Sequence, residues 1–293
     1  MSGVAGEIPS RAAPGEDVIL TGIARSGTTL ACTLLNRLPG CVALHEPMSP
    51  ATLREAGSRG GAVDRIEAFF AAQRTSLLAT GTAESRSVDG TIPDNPFAAV
   101  PGAGGRRASI VRPGKVRFDK PLTPGFRLVV KHPSCFTALL DLLVHRFRCV
   151  AMIRHPLAVL LSWSTTEANW NDGRQPAAEA FDDELKRRLD ATPDVLDRQV
   201  AMLDWSFRTY ASLLPRPRIL RYEDLVASGG RTLTAVDPGA VTLDAALEER
   251  NASPVYRGRD VERLAERLLA AEGEWQGWYP PESIVGLATR LSG

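Results

Sequence analysis

The residues best placed to do chemistry begin at position 19, in the stretch ILTGIARSGTTL. Gly22, Gly27 and Thr29 stand where the phosphate loop of nucleotide triphosphatases, G-x-x-x-x-G-K-[ST], requires them, but Thr28 occupies the lysine position. A strand that turns through such a loop into a helix leaves backbone N–H groups unpaired at the helix start, and the helix dipole adds positive character there. Gly27 lets the backbone approach an anion, and Ser26, Thr28 and Thr29 offer hydroxyl donors. The cation is Arg25, two residues before Gly27, so it would meet the anion from another side than the missing lysine. No apolar run ending in aspartate follows to hold Mg²⁺. The loop therefore suits a phosphate without the ATP–Mg²⁺ apparatus.

A second group lies in RHPLAVLLSW, where Arg154 and Ser162 are eight residues apart and Pro156 starts the intervening helix. Ionisable residues recur where other strands end: His45-Glu46, Lys131-His132, Arg154-His155 and Tyr222-Glu223-Asp224. Glu46, in ALHEP, and His132, in VVKHP, are the candidates for a proton acceptor, and Lys131 for a charge stabiliser. Directly after Lys131 on an extended chain, His132 is expected to point to the opposite side, which favours Glu46. A buried Glu46 carboxyl among other groups is expected to have the raised pKa that suits a base. In RYEDL, Tyr222 and Asp224 are expected to cap the next helix and pack the loop.

The elements that must position these groups alternate. Short apolar runs at 17–23, 41–46, 126–132, 148–154 and 218–222 read as strands. Helical spacing follows over 28–38, 63–79, 133–146, 157–168, 176–190 and 193–214. This order implies an α/β fold, three layers with a central, mostly parallel sheet, in one domain spanning 17–293. Ligands in such folds bind at the carboxyl ends of the strands, which is where the polar residues cluster. Residues 1–16 read as a frayed arm. Residues 80–125, rich in Gly, Pro, Ser and Arg, read as a substrate loop or lid. The basic residues of 106–120 are candidates for steering an acidic acceptor. Phe69, Phe70, Trp163 and Trp170 suit the wall of an acceptor pocket and the packing of a core equally well.

With 293 residues, 44% hydrophobic, and a formal net charge of +1, nothing in the bulk composition favours nucleic acid or an anionic membrane. No apolar run is long enough to span a bilayer, and the N-terminus lacks an apolar signal core, so a cytoplasmic protein is expected. Cys32, Cys41, Cys135 and Cys149 sit in apolar contexts without CxxC spacing and read as buried thiols, with no metal site among them.

Taken together, the two groups resemble the nucleotide signatures of sulfotransferases that use 3′-phosphoadenosine-5′-phosphosulfate (PAPS). The loop form [KR]-S-G-T-T is met by Arg25, Ser26, Gly27, Thr28 and Thr29, and the family's arginine and serine eight positions on by Arg154 and Ser162. YEDL after a late strand, here Tyr222 to Leu225, is a further likeness, and order and spacing agree over roughly 200 residues. The resemblance implies a P-loop NTPase-like fold and transfer of a sulfuryl group from PAPS, without metal, to a hydroxyl of a small-molecule, carbohydrate or lipid acceptor. It implies that the loop binds the 5′-phosphosulfate and that Arg154 and Ser162 bind the 3′-phosphate. Arg25, seconded by Lys131, would stabilise charge on the leaving oxygen, with Glu46 or His132 as base. Leu30 stands where many members carry an aromatic near the adenine, and Arg257 in YRGRD, with Arg259 as fallback, is the loose counterpart of the family's RKG segment. RSGTT with a downstream EP looks closer to bacterial and carbohydrate-type members. Two other readings fit the same loop: a small-molecule P-loop kinase, and a sulfotransferase-like nucleotide-binding protein without catalysis.

Overall fold

A computed structural model describes residues 16–292; the expected arm falls almost wholly outside the described residues. Five strands, β1 (Asp17–Gly22), β2 (Cys41–His45), β5 (Arg127–Lys131), β6 (Arg148–Ile153) and β7 (Ile219–Arg221), form one parallel sheet in the order β2-β5-β1-β6-β7. β3 (Thr82–Ser87) and β4 (Arg112–Arg117) pair antiparallel as a separate ribbon. The helices are α1 (Thr28–Leu35), α2 (Pro50–Arg54), α3 (Arg59–Thr80), α4 (Pro133–Ala138), α5 (Leu140–Leu143), α6 (Pro156–Ser164), α7 (Pro176–Glu179), α8 (Asp183–Asp190), α9 (Val195–Leu213), α10 (Tyr222–Ala227), α11 (Val261–Leu269) and α12 (Pro281–Ser292). The fold is α/β, as the alternation implies.

The sheet strands are continuous apolar runs because helices cover both faces: Val18, Ile19 and Leu20 of β1, and Leu128, Val129 and Val130 of β5, are fully buried. β1 lies at the centre, with Ile19 opposite Val130 of β5 on one side and Cys149 of β6 on the other. The chain fills the β5 side first, laying β2 at the edge and then β5 between it and β1, and afterwards adds β6 and β7 on the other side, so the winding reverses at β1. A crevice opens there at the carboxyl ends.

The segment 80–125 departs from the expected loop, since it contains the β3–β4 ribbon. β3 does alternate, but its buried positions are Ala83, Ser85 and Ser87, too small and polar to announce a strand. The ribbon takes part in the packing: Ser85 Oγ accepts the His45 N–H at 2.9 Å and fixes the end of β2. Val88 and Thr91 bond reciprocally across Asp89-Gly90, both at 2.9 Å, a two-residue turn with φ of 48° and 78°. Two expected helices are each broken once. The chain leaves helical geometry at Leu139 (φ −104°, ψ 6°), separating α4 from α5. Asp182 separates α7 from α8 by capping the Leu185 N–H at 2.8 Å.

The four cysteines are buried and unpaired, and burial pushes the thiols of Cys32, Cys135 and Cys149 up to about 12. No helix among the described residues is long and apolar enough to cross a membrane. Trp163 and Phe70 are core residues and not pocket walls. Trp163 is 0% exposed and its Nε1–H bonds the Ala24 carbonyl at 3.0 Å, fastening the opening loop to α6. Trp163→Ala should lower stability by about 3–5 kcal/mol, read as a fall in urea midpoint. Trp163→Phe, which keeps most of the packing, should lose roughly 1–2 kcal/mol. A Trp163→Phe midpoint equal to that of the wild type would contradict the role of the indole N–H.

Candidate active site

The opening loop is built by two left-handed residues, Arg25 (φ 74°) and Gly27 (φ 85°). Gly27 is required twice over: its φ disfavours a side chain, and a Cβ there would lie 2.7 Å from the Tyr222 ring. The first α1 bond runs from Ala31 N–H to the Gly27 carbonyl at 2.9 Å, leaving the N–H groups of Thr28, Thr29 and Leu30 without a helical acceptor. All three residues line a cavity of about 1350 Å³ at the carboxyl edge of the sheet. Ser26 does not: it is fully buried and its hydroxyl donates to the Met152 carbonyl at 2.9 Å, so the expected anion contact from that side chain is corrected to a structural one.

At the β1–β6 side, Arg25 and Ser162 meet directly. Arg25 Nε donates to Ser162 Oγ at 3.1 Å, its Nη2 donates to Asn95 Oδ1 at 3.1 Å, and its guanidinium lies 4.8 Å over the Phe97 ring. Arg25 therefore sits against Ser162, the residue expected to bind the 3′-phosphate. Burial, then Arg107 and Arg154, lower its pKa to about 9. Arg154 is held by four acceptors: Asn251 Oδ1 (2.7 Å), the carbonyls of Arg250 (2.8 Å) and Arg25 (3.0 Å), and the Tyr256 hydroxyl (3.4 Å). It also stacks 4.5 Å from the Tyr222 ring.

Behind this cluster stands Glu223. Its carboxylate accepts from the His155 N–H (3.0 Å), Asn251 Nδ2 (2.8 Å) and the Tyr279 hydroxyl (2.7 Å). Burial works to raise the carboxyl, but the bonds from Tyr279, Asn251 and His155 hold it below its usual value. Glu223 thereby fixes the start of α6 and, through Asn251, the aim of Arg154. The RYEDL segment is architectural, but not as expected: α10 has no side-chain cap, and Glu223, not Asp224, makes the connections.

At the β2–β5 side, buried Lys131 and half-buried Glu46 form an ion pair. Lys131 Nζ donates to Glu46 Oε1 at 2.5 Å, to His45 Nδ1 at 3.3 Å and to Thr29 Oγ1 at 3.4 Å. Glu46 N–H bonds the Lys131 carbonyl at 2.8 Å and the residue adopts φ 43°, a left-handed conformation rare outside glycine. Burial acts to raise the Glu46 carboxyl, but Lys131, His45 and His132 override it and hold it well below the usual carboxylate range. The expectation of a raised pKa is corrected by this partner. His132 also lines the cavity, although its backbone is still extended (φ −150°, ψ 109°) and its N–H bonds the Leu20 carbonyl at 3.1 Å. Burial, helped by Lys131, lowers His132 to about 4, so its ring is neutral at pH 7, and its buried Nδ1 has no partner.

The cavity thus gathers Arg25, Thr28, Thr29, Leu30, Glu46, Lys131, His132, Arg154 and Ser162 in one place. Arg257 is not among them; it is exposed and outside the lining, whereas Arg250 and Tyr256 from the same stretch line it. Of the basic run 106–120, Arg107 lines the cavity, while Lys120 caps the carbonyls of Asn36 and Leu38 (2.9 and 2.8 Å) beyond the end of α1. Trp170 and Phe97, 6.0 Å apart edge to face, add the aromatic wall. Asn95 and Asn251 lie outside every motif, and neither Arg107 nor Glu223 is marked by its neighbours in sequence for the contacts it makes.

The fold is similar to two solved structures: the sulfotransferase domain of the Synechococcus PCC 7002 olefin synthase (16% identity, 98% of each chain, TM-score 0.36) and sulfotransferase STF1 from Mycobacterium tuberculosis H37Rv (13% identity, 89% of this chain and 78% of that one, TM-score 0.33). No protein-family model and no curated protein matches the sequence.

Buried neutral histidines make stability pH-dependent. His132 and His155 are both held to about 4 against a usual 6.5, chiefly by burial, and each has a buried Nδ1 without a partner. The unfolded chain takes up their protons as pH falls below about 6.5, the folded chain only near 4, so stability is full at neutral pH and drains across that window. Roughly 2 kcal/mol per histidine should be lost between pH 7 and pH 5 in urea titrations. His155→Asn should remove one such share; an unchanged pH slope in that variant would refute the assignment.

Proposed function

We propose that the protein is a sulfotransferase that moves the sulfuryl group of PAPS onto a hydroxyl of an acceptor, giving 3′-phosphoadenosine-5′-phosphate (PAP) and a sulfate ester. The observation that carries this reading is the position of Lys131 Nζ, within reach of both Thr29 Oγ1 in the opening loop and Glu46 Oε1. One ammonium thus links the anion-binding loop to a carboxylate that can take a proton. The fit to the donor rests on the chain's own groups: free N–H groups at Thr28 to Leu30 for a phosphate, and Arg25, Arg154 and Ser162 at the far side for a second one. No carboxylate pairs with Arg25 or Arg154 among the described residues, as an anion-binding site requires.

In the transfer, the acceptor oxygen bonds to sulfur while the sulfur–oxygen bond to the 5′-phosphate breaks, and the bridging oxygen keeps the electron pair. Lys131 neutralises charge growing on that oxygen. As it turns from Glu46 toward the loop, Glu46 loses the cation that depresses its pKa and becomes the stronger base, taking the hydroxyl proton. His132, neutral and with a free Nδ1, orients the same hydroxyl by accepting its hydrogen bond. The acceptor enters from the wall formed by Trp170, Phe97 and the segment 93–110. The four buried thiols fit the reducing cytoplasm.

PAP at a hundred times its Kd should stabilise the protein by about 2.7 kcal/mol in a thermal-shift assay, and Mg²⁺–ATP should not. Arg154→Ala should abolish the shift. Preferential stabilisation by Mg²⁺–ATP would replace this reading with a kinase. Radiolabelled sulfuryl transfer from PAPS to a panel of phenols, sugars and fatty alcohols tests turnover. Glu46→Gln should lower kcat by about 10²–10⁴ while PAP affinity stays within threefold. If His132→Ala does this and Glu46→Gln does not, the two roles are exchanged.

A further inference from the structure

Arg107 is a buried cation with unused bonding capacity, facing the site. It is 7% exposed, it lines the cavity, its Nη2 donates to Thr165 Oγ1 at 2.8 Å, and its Nε has no partner. Its backbone is clamped to the chain just after α6, with Arg107 N–H on the Thr165 carbonyl (2.9 Å) and Glu167 N–H on the Arg107 carbonyl (3.0 Å). Thr165 in turn donates to the carbonyl of Ser162 at 2.8 Å, which puts Arg107 one helical turn from the serine that Arg25 touches. Arg25, Arg107 and Arg154 thus converge from three separate parts of the chain.

None of these three guanidiniums has an ion-pair partner among the described residues. Two partly buried arginines elsewhere are paired: Arg127 with Glu16 and Asp237, Arg174 with Glu179 and Asp190. Like charges gathered out of water without a counter-charge are costly unless an anion joins them. Their mutual repulsion is visible on Arg25, whose pKa burial, Arg107 and Arg154 bring down. A phosphate monoester, dianionic near neutral pH, matches such a cluster better than the singly charged sulfuryl group does.

We propose that Arg107 is a further binding residue for the terminal 3′-phosphate of the donor, supplying the third guanidinium that Arg257 does not. The assignment rests on the PAPS reading above and places a determinant of donor choice in the segment 80–125. The free Nε and the Nη2 that now holds Thr165 form one edge of the guanidinium and meet two phosphate oxygens together. Arg107 thereby discriminates donors by the presence of the 3′-phosphate and contributes nothing to the rest of the nucleotide.

Calorimetric titration of PAP and of adenosine 5′-phosphate, which lacks the 3′-phosphate, tests this in the intact protein. Wild type should prefer PAP by at least tenfold. Arg107→Ala should weaken PAP by about 10–100-fold and leave adenosine 5′-phosphate within threefold. Arg107→Gln, which retains a donor for Thr165 and so the clamp, should show the same selective loss. If either variant folds and keeps the full preference for PAP, or weakens both nucleotides alike, Arg107 is a structural clamp and the assignment falls alone. Wild-type protein that binds neither nucleotide overturns the functional reading and this assignment with it.

Discussion

A sheet covered on both faces has nowhere to place charge except along its edge, and the candidate site residues of this protein obey that constraint. Between their end residues β1, β2, β5 and β6 are apolar apart from Thr21, whose hydroxyl bonds the Pro133 carbonyl, so a charged side chain there would face a steep desolvation cost. Charge appears at the last residue of a strand or just beyond: Glu46 after β2, Lys131 at the end of β5, Arg154 after β6. Parallel strands bring these ends side by side, which turns residues far apart in sequence into neighbours. Helix α1 starts at the same level and turns its free N–H groups toward the same cavity.

Within that edge the two sides are electrostatically different. The β2–β5 side is balanced, since Lys131 has Glu46 against it. The β1–β6 side carries three guanidiniums held by neutral acceptors alone: carbonyls, amides and hydroxyls. Glu223 is close enough to order Arg154 through Asn251 but commits its oxygens to Asn251, Tyr279 and the start of α6. Positive charge is oriented there without being neutralised, and it remains available to a ligand. The cavity is thus charge-balanced at one end and cationic at the other.

The local signals were legible in the sequence. A strand, a glycine loop and a helix follow one another directly, so the opening loop could be read from a dozen residues, and the strand ends from short apolar runs. What escaped depends on distance. Glu46 and Lys131 are 85 positions apart, so the depression of the carboxylate could not be anticipated from ALHEP alone. Arg107 and Thr165 are 58 apart, and the ribbon before Arg107 hides its alternation behind Ala83, Ser85 and Ser87. Arg257 has a motif-like neighbourhood in sequence, yet the turn at Pro254–Tyr256 directs Tyr256 inward and leaves Arg257 exposed. Ser26 matched its motif, but the left-handed Arg25 before it aims the hydroxyl at β6.

Backbone strain points to the same two ends. Besides Asp89 in its tight turn, the non-glycine residues at positive φ among those described are Arg25 and Glu46. Each such conformation costs on the order of 1–3 kcal/mol and persists only where surrounding contacts over-determine it. For Arg25 those contacts are the Trp163 bond to Ala24 and the Arg154 bond to its carbonyl; for Glu46 they are its N–H bond to Lys131 and the ion pair. A relaxed Arg25 would withdraw the guanidinium from Ser162, and a relaxed Glu46 would separate the carboxylate from Lys131. The strain is therefore the local cost of holding one cation beside α6 and one carboxylate beside Lys131. Because the strands and helices that carry these contacts are anchored in the apolar core, neither residue can relax without disturbing its neighbours.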